Sequence, residues 1–321
     1  MKAKIISLNP LRPDASAIRE AADVILRGGL VAFPTETVYG LGANALNPKA
    51  VRKIFVAKNR PANNPLIVHI AVISEMKRYA VSIPDIAYTL GKAFWPGPLT
   101  LVLRKRNLDT IALRIPRHPV ALALLSVSKV PIAAPSANRS TRPSPTTANH
   151  VIEDLGGSID LILDAGPTAI GVESTVVDVT VDPPVILRPG GVTLEELKQY
   201  APAITSGGSD VNKGPIRSPG LRHAHYKPNA KVILVDRNHA SGLVTLCHAQ
   251  NQRVATLSVG EILDTKTDAC VIVSNVREYA RQLFSAFRLF DEQGIDVILA
   301  EAVPPVGLGL AVMDRLKRAA D

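Results

Sequence analysis

Short apolar runs recur along the first two hundred residues, and most of them pass directly into polar or glycine-containing segments. Apolar runs of about four to eight residues, bounded by turn residues, are typical of buried strands. Strands are therefore predicted in LVAF (30–33), LIVHI (66–70), LTLVLR (99–104) and IALRI (111–115). Further β-rich runs are PIAAPSAN (131–138), DLILDAG (160–166), STVVDVT (174–180) and PVILRPGG (184–191).

Helices are predicted between these strands. One covers 14–27, where Asp14 can cap the first turn and Gly28-Gly29 ends the helix, and another covers 47–57. Thr193 and Glu196 have the spacing of a capping box and predict the start of a short helix. The mixture of strands and helices indicates an α/β fold.

Strands alternate with helices again after residue 230. KVILVD, VATLSV, VIVS and DVILAE predict strands, a long helix is predicted over about 277–292, and another closes the chain after GLGLA (307–311). This alternation is typical of a small open parallel sheet, so we predict a smaller Rossmann-like α/β domain. GLGLA does not match the dinucleotide fingerprint, and we expect it to serve packing or a hinge.

The composition changes between about residues 201 and 230, where glycine, proline and serine are frequent and no apolar period is present. This predicts a linker, with domains at 1–205 and 230–321 and the linker at 206–229. A passive tether rarely needs so many charged and aromatic side chains. Four basic residues, Lys213, Arg217, Arg222 and Lys227, outnumber the single acid Asp210, and the segment also contains His223, His225 and Tyr226. Our hypothesis is that it forms a lid over a nucleotide site.

The formal net charge of +9 suits partners that are polyanions, such as ATP or RNA, but taken alone it favours the simpler interpretation, a soluble basic protein with solvated lysines. Only 4% of residues are aromatic, which argues against binding by base stacking. Cys247 and Cys270 lie too far apart for a CxxC metal site. We expect a soluble, cytoplasmic protein with no membrane partner, because no apolar run approaches the ~20 residues of a membrane span.

Four clusters carry candidate chemistry. The first is Lys58 and Arg60, followed by Asn64 and His69. Two cations one residue apart can neutralise a polyphosphate. A solvated basic helix end is the alternative, but Pro61 and Pro65 favour a rigid path.

The other three clusters lie at predicted strand ends. Ser136, Asn138 and Ser144 follow a buried strand, where ligands bind in open α/β sheets. Ser174 precedes a β-rich run, and Arg188 lies beside two glycines, where an arginine can pair with phosphate. Ordinary loop and turn chemistry is the alternative for all three. The sequence has no Walker loop, no GxGxxG after a strand, no GxSxG and no zinc-ligand spacing.

Taken in order, several motifs resemble the YrdC family. These are FPTETVYGLG, KxRP with NPL and H, FWPGPLT, LRIP, APSAN, and STVVD with LRPGG, across about residues 12–200. HYKP followed by an α/β tail is similar to the long, two-domain form of the family's threonylcarbamoyl-AMP synthases. The resemblance implies an open twisted α/β sheet around a deep basic cavity.

The resemblance also implies roles for particular residues. Threonine would be contacted by Thr37, with Thr35 as the alternative, and by His69, Arg114, Ala134 and Ser174. ATP would be contacted by Lys58, Arg60, Asn64, Thr110, Ser136, Asn138, Ser144 and Arg188, with Tyr226 reaching over from the linker. Lys58 and Arg60 would act by charge neutralisation; no general base and no protein metal ligand is assigned, and Mg²⁺ would accompany ATP.

The implied activity joins L-threonine, bicarbonate and ATP into L-threonylcarbamoyladenylate, diphosphate and water. The threonylcarbamoyl group then passes, through downstream transfer machinery, to adenosine 37 of tRNAs that read codons starting with A. Two alternatives remain. One is a module that binds double-stranded RNA or tRNA. The other is a carbamoyltransferase, which would need acylphosphatase-like and zinc-finger regions that the sequence does not contain.

Overall fold

The computed structural model describes residues 2–106, 109–207 and 226–321, and these form two compact units. The first contains 2–140 apart from 107–108, Pro145–Ala169 and 173–207; the second contains Thr141–Ser144, Ile170–Val172 and 226–321. Most of the predicted linker, 208–225, lies outside the described residues.

Two short segments that the predicted boundaries place in the first domain are grouped with the second unit. Arg288 explains this for one of them, because its Nη2 donates a hydrogen bond to the Pro143 carbonyl at 2.6 Å. The Lys227 backbone N–H donates to the Thr141 carbonyl in the same region. Contacts between residues so distant in sequence carry no local signal, so the sequence pattern could not indicate this grouping.

The first unit is built on an eleven-stranded sheet in the order β1-β8-β2-β3-β7-β4-β6-β5-β9-β10-β11. Its strands are Lys4–Ser7 (β1), Val31–Phe33 (β2), Gly40–Asn44 (β3), Ile67–His69 (β4), Leu99–Arg104 (β5), Thr110–Arg114 (β6), Ile132–Ala133 (β7), Leu161–Asp164 (β8), Thr175–Asp178 (β9), Val185–Arg188 (β10) and Thr205–Ser206 (β11). Its helices are Ala15–Leu26 (α1), Pro48–Lys58 (α2), Met76–Tyr79 (α3), Asp85–Phe94 (α4), Pro119–Ser128 (α5), Ala148–Leu155 (α6) and Leu194–Lys198 (α7).

The predicted helix starts are confirmed. The Asp14 carboxylate accepts hydrogen bonds from the Ser16 and Ala17 backbone N–H groups at the start of α1. At α7, both bonds of the capping box between Thr193 and Glu196 are present. Side chains at these positions satisfy backbone donors that have no partner within the helix.

Strand register divides the large sheet into two faces. His69 in β4 is the Cα partner of Arg114 in β6 and of Ile132 in β7, so these side chains share one face, called here the front face. Because successive side chains alternate, Val68 and Leu113 lie on the opposite, back face. There they pack in a cluster with residues of α3 and α4, such as Met76 and Leu90.

The second unit contains a four-stranded parallel sheet, as predicted, and its strand order is β12-β15-β13-β14. Its strands are Lys231–Val235 (β12), Val254–Val259 (β13), Ala269–Val273 (β14) and Val297–Glu301 (β15), and its helices are Ala240–Ala249 (α8), Val276–Glu292 (α9) and Gly309–Ala320 (α10). Within the described ranges, no helix combines the length and apolar character needed to cross a membrane.

The carboxyl edge of this small sheet, where Rossmann-like folds bind nucleotides, carries an internal ion pair. Arg237 donates to both carboxylate oxygens of Glu301, at 3.1 and 2.9 Å. It also donates to the Val259 carbonyl at 2.8 Å, and Glu301 accepts from the Val259 N–H. These bonds occupy the polar groups at the ends of β13 and β15.

Candidate functional site

Arg114 joins strand β6 to the loop between β2 and β3. Its side chain is buried on the front face beside His69, and its Nη2 donates a hydrogen bond to the Thr37 hydroxyl at 3.0 Å. Its Nε donates to the Gly97 carbonyl at 3.3 Å. Three residues implied for threonine binding, from three separate sequence motifs, are therefore neighbours.

Glu36 is a charged member of this group that the sequence analysis missed. Its Oε1 lies 2.9 Å from Nη2 of Arg114, and each side chain is 5% exposed. The other carboxylate oxygen accepts a hydrogen bond from the Arg117 backbone N–H at 3.0 Å. A buried charge requires a partner, so Glu36 compensates Arg114. Its signal in the sequence was a lone acid within the FPTETVYGLG motif.

The structure distinguishes the two threonines of that motif. The Thr35 hydroxyl donates to the Val38 carbonyl at 2.6 Å and lies within hydrogen-bonding distance of the Thr37 and Val38 N–H groups. It is also 2.8 Å from the Thr37 hydroxyl, which must be the donor, because the single Thr35 proton is already committed. The Thr35 hydroxyl therefore stabilises the loop, whereas the Thr37 hydroxyl oxygen accepts the hydrogen bond from Arg114.

His69 is a neutral, buried imidazole. Burial lowers its pKa to about 3, and the charge of Arg114 acts in the same direction. Its Nδ1 is buried and has no hydrogen-bond partner among the described residues. The ring packs edge-on against Phe33, with centroids 6.3 Å apart. A buried ring nitrogen without a partner is suited to receive a ligand.

Ser174 and Arg188, which come from different sequence clusters, are in direct contact. Arg188 Nη2 donates to the Ser174 carbonyl at 2.9 Å and lies 3.3 Å from its hydroxyl. The Ser174 hydroxyl is also 2.8 Å from the hydroxyl of Thr100, a fully buried residue that the sequence analysis did not select. Its signal was a polar residue inside the apolar run LTLVLR.

The register places this second group on the front face too. Val102 in β5 pairs with Ala112 in the antiparallel strand β6, so Thr100, two residues before Val102, and Arg114, two residues after Ala112, face the same side. The glycine turn after Arg188 packs closely against the group. A Cβ at Gly190 would lie 2.3 Å from the Glu173 carbonyl oxygen, so this position requires glycine.

Lys58 organises the loop that carries Ser136 and Asn138. Its buried Nζ donates to the Ser136 carbonyl at 2.6 Å and to the Asn138 carbonyl. Burial lowers the Lys58 pKa well below its usual value, and the neighbouring charge of Arg60 adds to this effect. The Ser136 hydroxyl donates to the Asn138 side-chain oxygen at 2.6 Å. Here Lys58 positions the two predicted polar residues by binding their backbone.

The remaining candidates of the first unit surround this loop or lie along neighbouring strands. Arg60 donates to the Pro65 carbonyl at 3.0 Å. Asn64 is buried, and its side-chain oxygen has no partner among the described residues. Ala134 follows β7, and its N–H donates to the Ile67 carbonyl. Thr110 is the first residue of β6 and is partly exposed.

Ser144 and Tyr226 belong to the second unit. Tyr226 is 5% exposed and stacks on Phe284 with ring centroids 5.2 Å apart. The Arg315 guanidinium lies 5.3 Å from the centroid of the Tyr226 ring. Ser144 is fully buried. Lys227 is exposed, and six further linker residues named above lie outside the described residues: Asp210, Lys213, Arg217, Arg222, His223 and His225.

Two family models match the chain in succession. The Sua5, YciO and YrdC model, described as telomere recombination, matches residues 23–190, which is more than half of the chain. The chain belongs to the Sua5/YciO/YrdC family. A model described as the C-terminal domain of threonylcarbamoyl-AMP synthase matches residues 192–321. The predicted resemblance to the long, two-domain form is confirmed.

Members of the family are similar to this chain over nearly its full length. The threonylcarbamoyl-AMP synthase of Pyrococcus abyssi is 48% identical, over 94% of this chain and 93% of the relative. That of Bacillus subtilis is 45% identical, over 94% and 92%. The crystal structure of P. abyssi Sua5 complexed with L-threonine has a TM-score of 0.93 at 46% identity, covering 98% of this chain and 97% of that one.

Proposed function

We propose that the chain is a threonylcarbamoyl-AMP synthase, which converts L-threonine, bicarbonate and ATP into L-threonylcarbamoyladenylate, diphosphate and water. The observation that carries the proposal is the front face of the large sheet, where Arg114, Thr37 and His69 lie beside one another and Ser174 binds Arg188. Near full-length similarity to relatives named for this activity supports it.

The Arg114 group has the properties that a threonine site requires. Arg114, whose charge Glu36 compensates, supplies fixed hydrogen-bond donors, while His69, with its low pKa, supplies a neutral hydrogen-bonding nitrogen. Thr37, Ala134 and Ser174 complete the proposed threonine contacts. Glu36 holds Arg114 in place, so that the guanidinium is oriented before the substrate binds.

The nucleotide step needs cations and polar donors more than a covalent nucleophile. The carbamate oxygen attacks the α-phosphate of ATP, and diphosphate leaves; positioning and charge neutralisation dominate such transfers. The contacts that we propose for ATP are Lys58, Arg60, Asn64, Thr110, Ser136, Asn138, Ser144, Arg188 and Tyr226. Lys58 contributes at least by fixing the backbone of Ser136 and Asn138.

Magnesium is proposed as a companion of ATP and not as a resident metal. Within the described residues, no group of three or more histidine, cysteine, aspartate or glutamate side chains is arranged to hold a metal ion. Glu36 is committed to Arg114 and to the Arg117 N–H. We assign no protein ligand to Mg²⁺ and derive no step from it.

The carbamate and the adenylate both decompose in water, so the site must exclude it. We therefore propose that linker 206–229, between domains at 1–205 and 230–321, forms a lid over the site. We place the protein in the cytoplasm, where downstream machinery would transfer the threonylcarbamoyl group to adenosine 37 of tRNA. The RNA-binding alternative is less favoured, because Lys58, Arg114 and Arg188 are buried and an RNA backbone needs exposed cations.

The proposal is tested by measuring diphosphate release from ATP with L-threonine and bicarbonate, each omitted in turn. Release that depends on all three substrates is expected. Release that is indifferent to threonine, or absent in the complete mixture, would overturn the proposed function. Serine and valine as replacements for threonine give matched controls for the amino-acid site.

A further inference from the structure

A groove of about 450 Å³ lies on the back face of the large sheet. Val68 and Ile111 form part of its floor. Each belongs to a strand that carries a front-face candidate, His69 in β4 and Arg114 in β6, and side chains alternate along both strands. The floor of the groove therefore lies on the face opposite His69 and Arg114, while Thr110 and Ala112, which alternate with Ile111 along β6, line the groove where it meets that strand.

Residues packed against two different core clusters line the groove. Ala45 and Leu66 pack against the cluster that includes residues of α2 and α6. Val68, Tyr79 and Ile111 pack against the cluster that includes residues of α3 and α4. All five line the groove, and its volume lies within the range of about 300–1,000 Å³ that is typical of small-molecule sites.

Basic side chains surround this apolar floor. Lys77 and Arg78 come from α3, and Lys105 and Arg106 directly follow β5, while no acidic residue is among the described residues that line the groove. On this wall Glu75 lies beside Arg78, with 3.6 Å between Glu75 Oε1 and Arg78 Nη1. The groove therefore combines net positive charge with an apolar surface.

We propose that this groove is a second ligand site, which takes a small amphipathic anion: a phosphate, sulfonate or carboxylate attached to an apolar or aromatic group. Lysine and arginine would bind the anionic end through charge-assisted hydrogen bonds. The floor, including Tyr79 and Leu66, would cover the apolar end. This site is independent of the proposed catalytic activity. Thr110, a proposed ATP contact, also lines the groove, so the test separates the two sites.

The probe is anilinonaphthalene sulfonate, titrated by fluorescence into the full chain with and without a saturating non-hydrolysable ATP analogue. Binding of one probe per chain that the analogue does not displace is expected. Charge reversal of Lys77→Glu together with Lys105→Glu should weaken the probe's affinity at least roughly tenfold, because charged hydrogen bonds are lost. The control is Arg12→Glu with Arg19→Glu, the same charge change at exposed positions outside the groove, which should leave affinity within about twofold.

A second pair of variants tests the apolar half of the site. Leu46 lines the groove and is 59% exposed, whereas Leu11, 81% exposed, does not line it. Leu46→Ala should lower the affinity for the probe about threefold to tenfold, because it removes apolar contact with the ligand. Leu11→Ala should leave that affinity unchanged. Neither substitution empties a core position, so folding is preserved in both.

Two results would overturn the proposal. One is displacement of the probe by the ATP analogue, which would place the probe on the front face. The other is equal affinity in the groove variants and their matched controls. Inorganic phosphate provides a last check: it should not displace the probe at equal concentration, because it cannot use the apolar floor.

Discussion

Glu36 and Arg114 form an ion pair in the interior of the first unit, with Oε1 and Nη2 2.9 Å apart and both side chains 5% exposed. The pair lies in the middle of the residues proposed to bind threonine. Removing one partner of such a pair leaves a buried charge uncompensated, at a cost of about 3–5 kcal/mol. Glu36 therefore determines both the local stability and the orientation of Arg114.

We expect Glu36→Gln to lower the thermal unfolding midpoint and to raise the KM for threonine more than the KM for ATP. Glu20→Gln is the matched control, because Glu20 pairs with Lys4 at the surface, where side-chain exposures are 42% and 59%. Exposed pairs contribute about 0–1 kcal/mol, so the control should change neither quantity measurably. Indistinguishable behaviour of the two variants would refute the role given to Glu36.

We expect Thr35→Val to affect mainly the stability of the protein and Thr37→Val to affect mainly the KM for threonine. The Thr35 hydroxyl has four close polar neighbours within the loop, so its loss should reduce the free energy of unfolding by about 1–3 kcal/mol. Thr37→Val should leave stability closer to wild type and raise the KM for threonine. Denaturant unfolding and steady-state kinetics on both variants distinguish them; a larger KM effect at Thr35 would reverse our assignment.

The low pKa of His69 predicts a definite dependence of stability on pH. In the unfolded chain the histidine has a pKa near 6.5, whereas burial keeps it unprotonated in the folded protein down to about pH 3. The unfolded state therefore binds the extra proton between these values, and stability should fall as pH drops from about 6.5 towards 3.

The measurement is the unfolding midpoint of wild type, His69→Asn and a control variant, His239→Asn, over pH 4–8. His239 is exposed in the second unit, so its replacement should leave the pH dependence unchanged. His69→Asn should flatten the acid side of the profile. An unchanged slope in His69→Asn would show that the imidazole is not held neutral by the fold.

Ser174, a proposed threonine contact, lies beside Arg188, a proposed ATP contact, with 3.3 Å between the Ser174 hydroxyl and Arg188 Nη2. Arg188→Ala should reduce kcat/KM for ATP roughly tenfold to a hundredfold, as expected for a lost charge-assisted hydrogen bond of about 1.5–3 kcal/mol. Ser174→Ala should weaken the binding of threonine more than the binding of ATP. Arg52→Ala, at an exposed position of α2, is the control. Wild-type kinetics in Arg188→Ala would contradict its assignment.

Many regular elements were predicted from local patterns, but β1, α4, α5 and one strand of the site, β3, were not. Apolar runs identified β4, β5 and β6, and capping residues identified α1 and α7. Strand β3, GLGAN, was missed because glycine disfavours strands. Close packing explains the second glycine of this strand, because a Cβ at Gly42 would lie 2.8 Å from side-chain atoms of both Ile132 and Phe33.

The pairing of site residues also lies beyond local pattern. The motifs indicated Arg114, Thr37 and Ser174, but nothing in the sequence pairs Glu36 with Arg114 across 78 positions or places Thr100 against Ser174. Likewise, the stacking of Tyr226 on Phe284 depends on the fold of the second unit. Such contacts arise from strand register and helix packing, which single-residue preferences do not encode.

The most direct test of the account uses carbon-13 bicarbonate with ATP and L-threonine, followed by mass spectrometry of the nucleotide products. We predict a threonylcarbamoyl adenylate that carries the label, formed by wild-type protein and strongly reduced in Arg114→Ala, while Arg52→Ala forms it at the wild-type rate. Absence of the labelled adenylate in the wild-type reaction, or its undiminished formation by Arg114→Ala, would contradict the account.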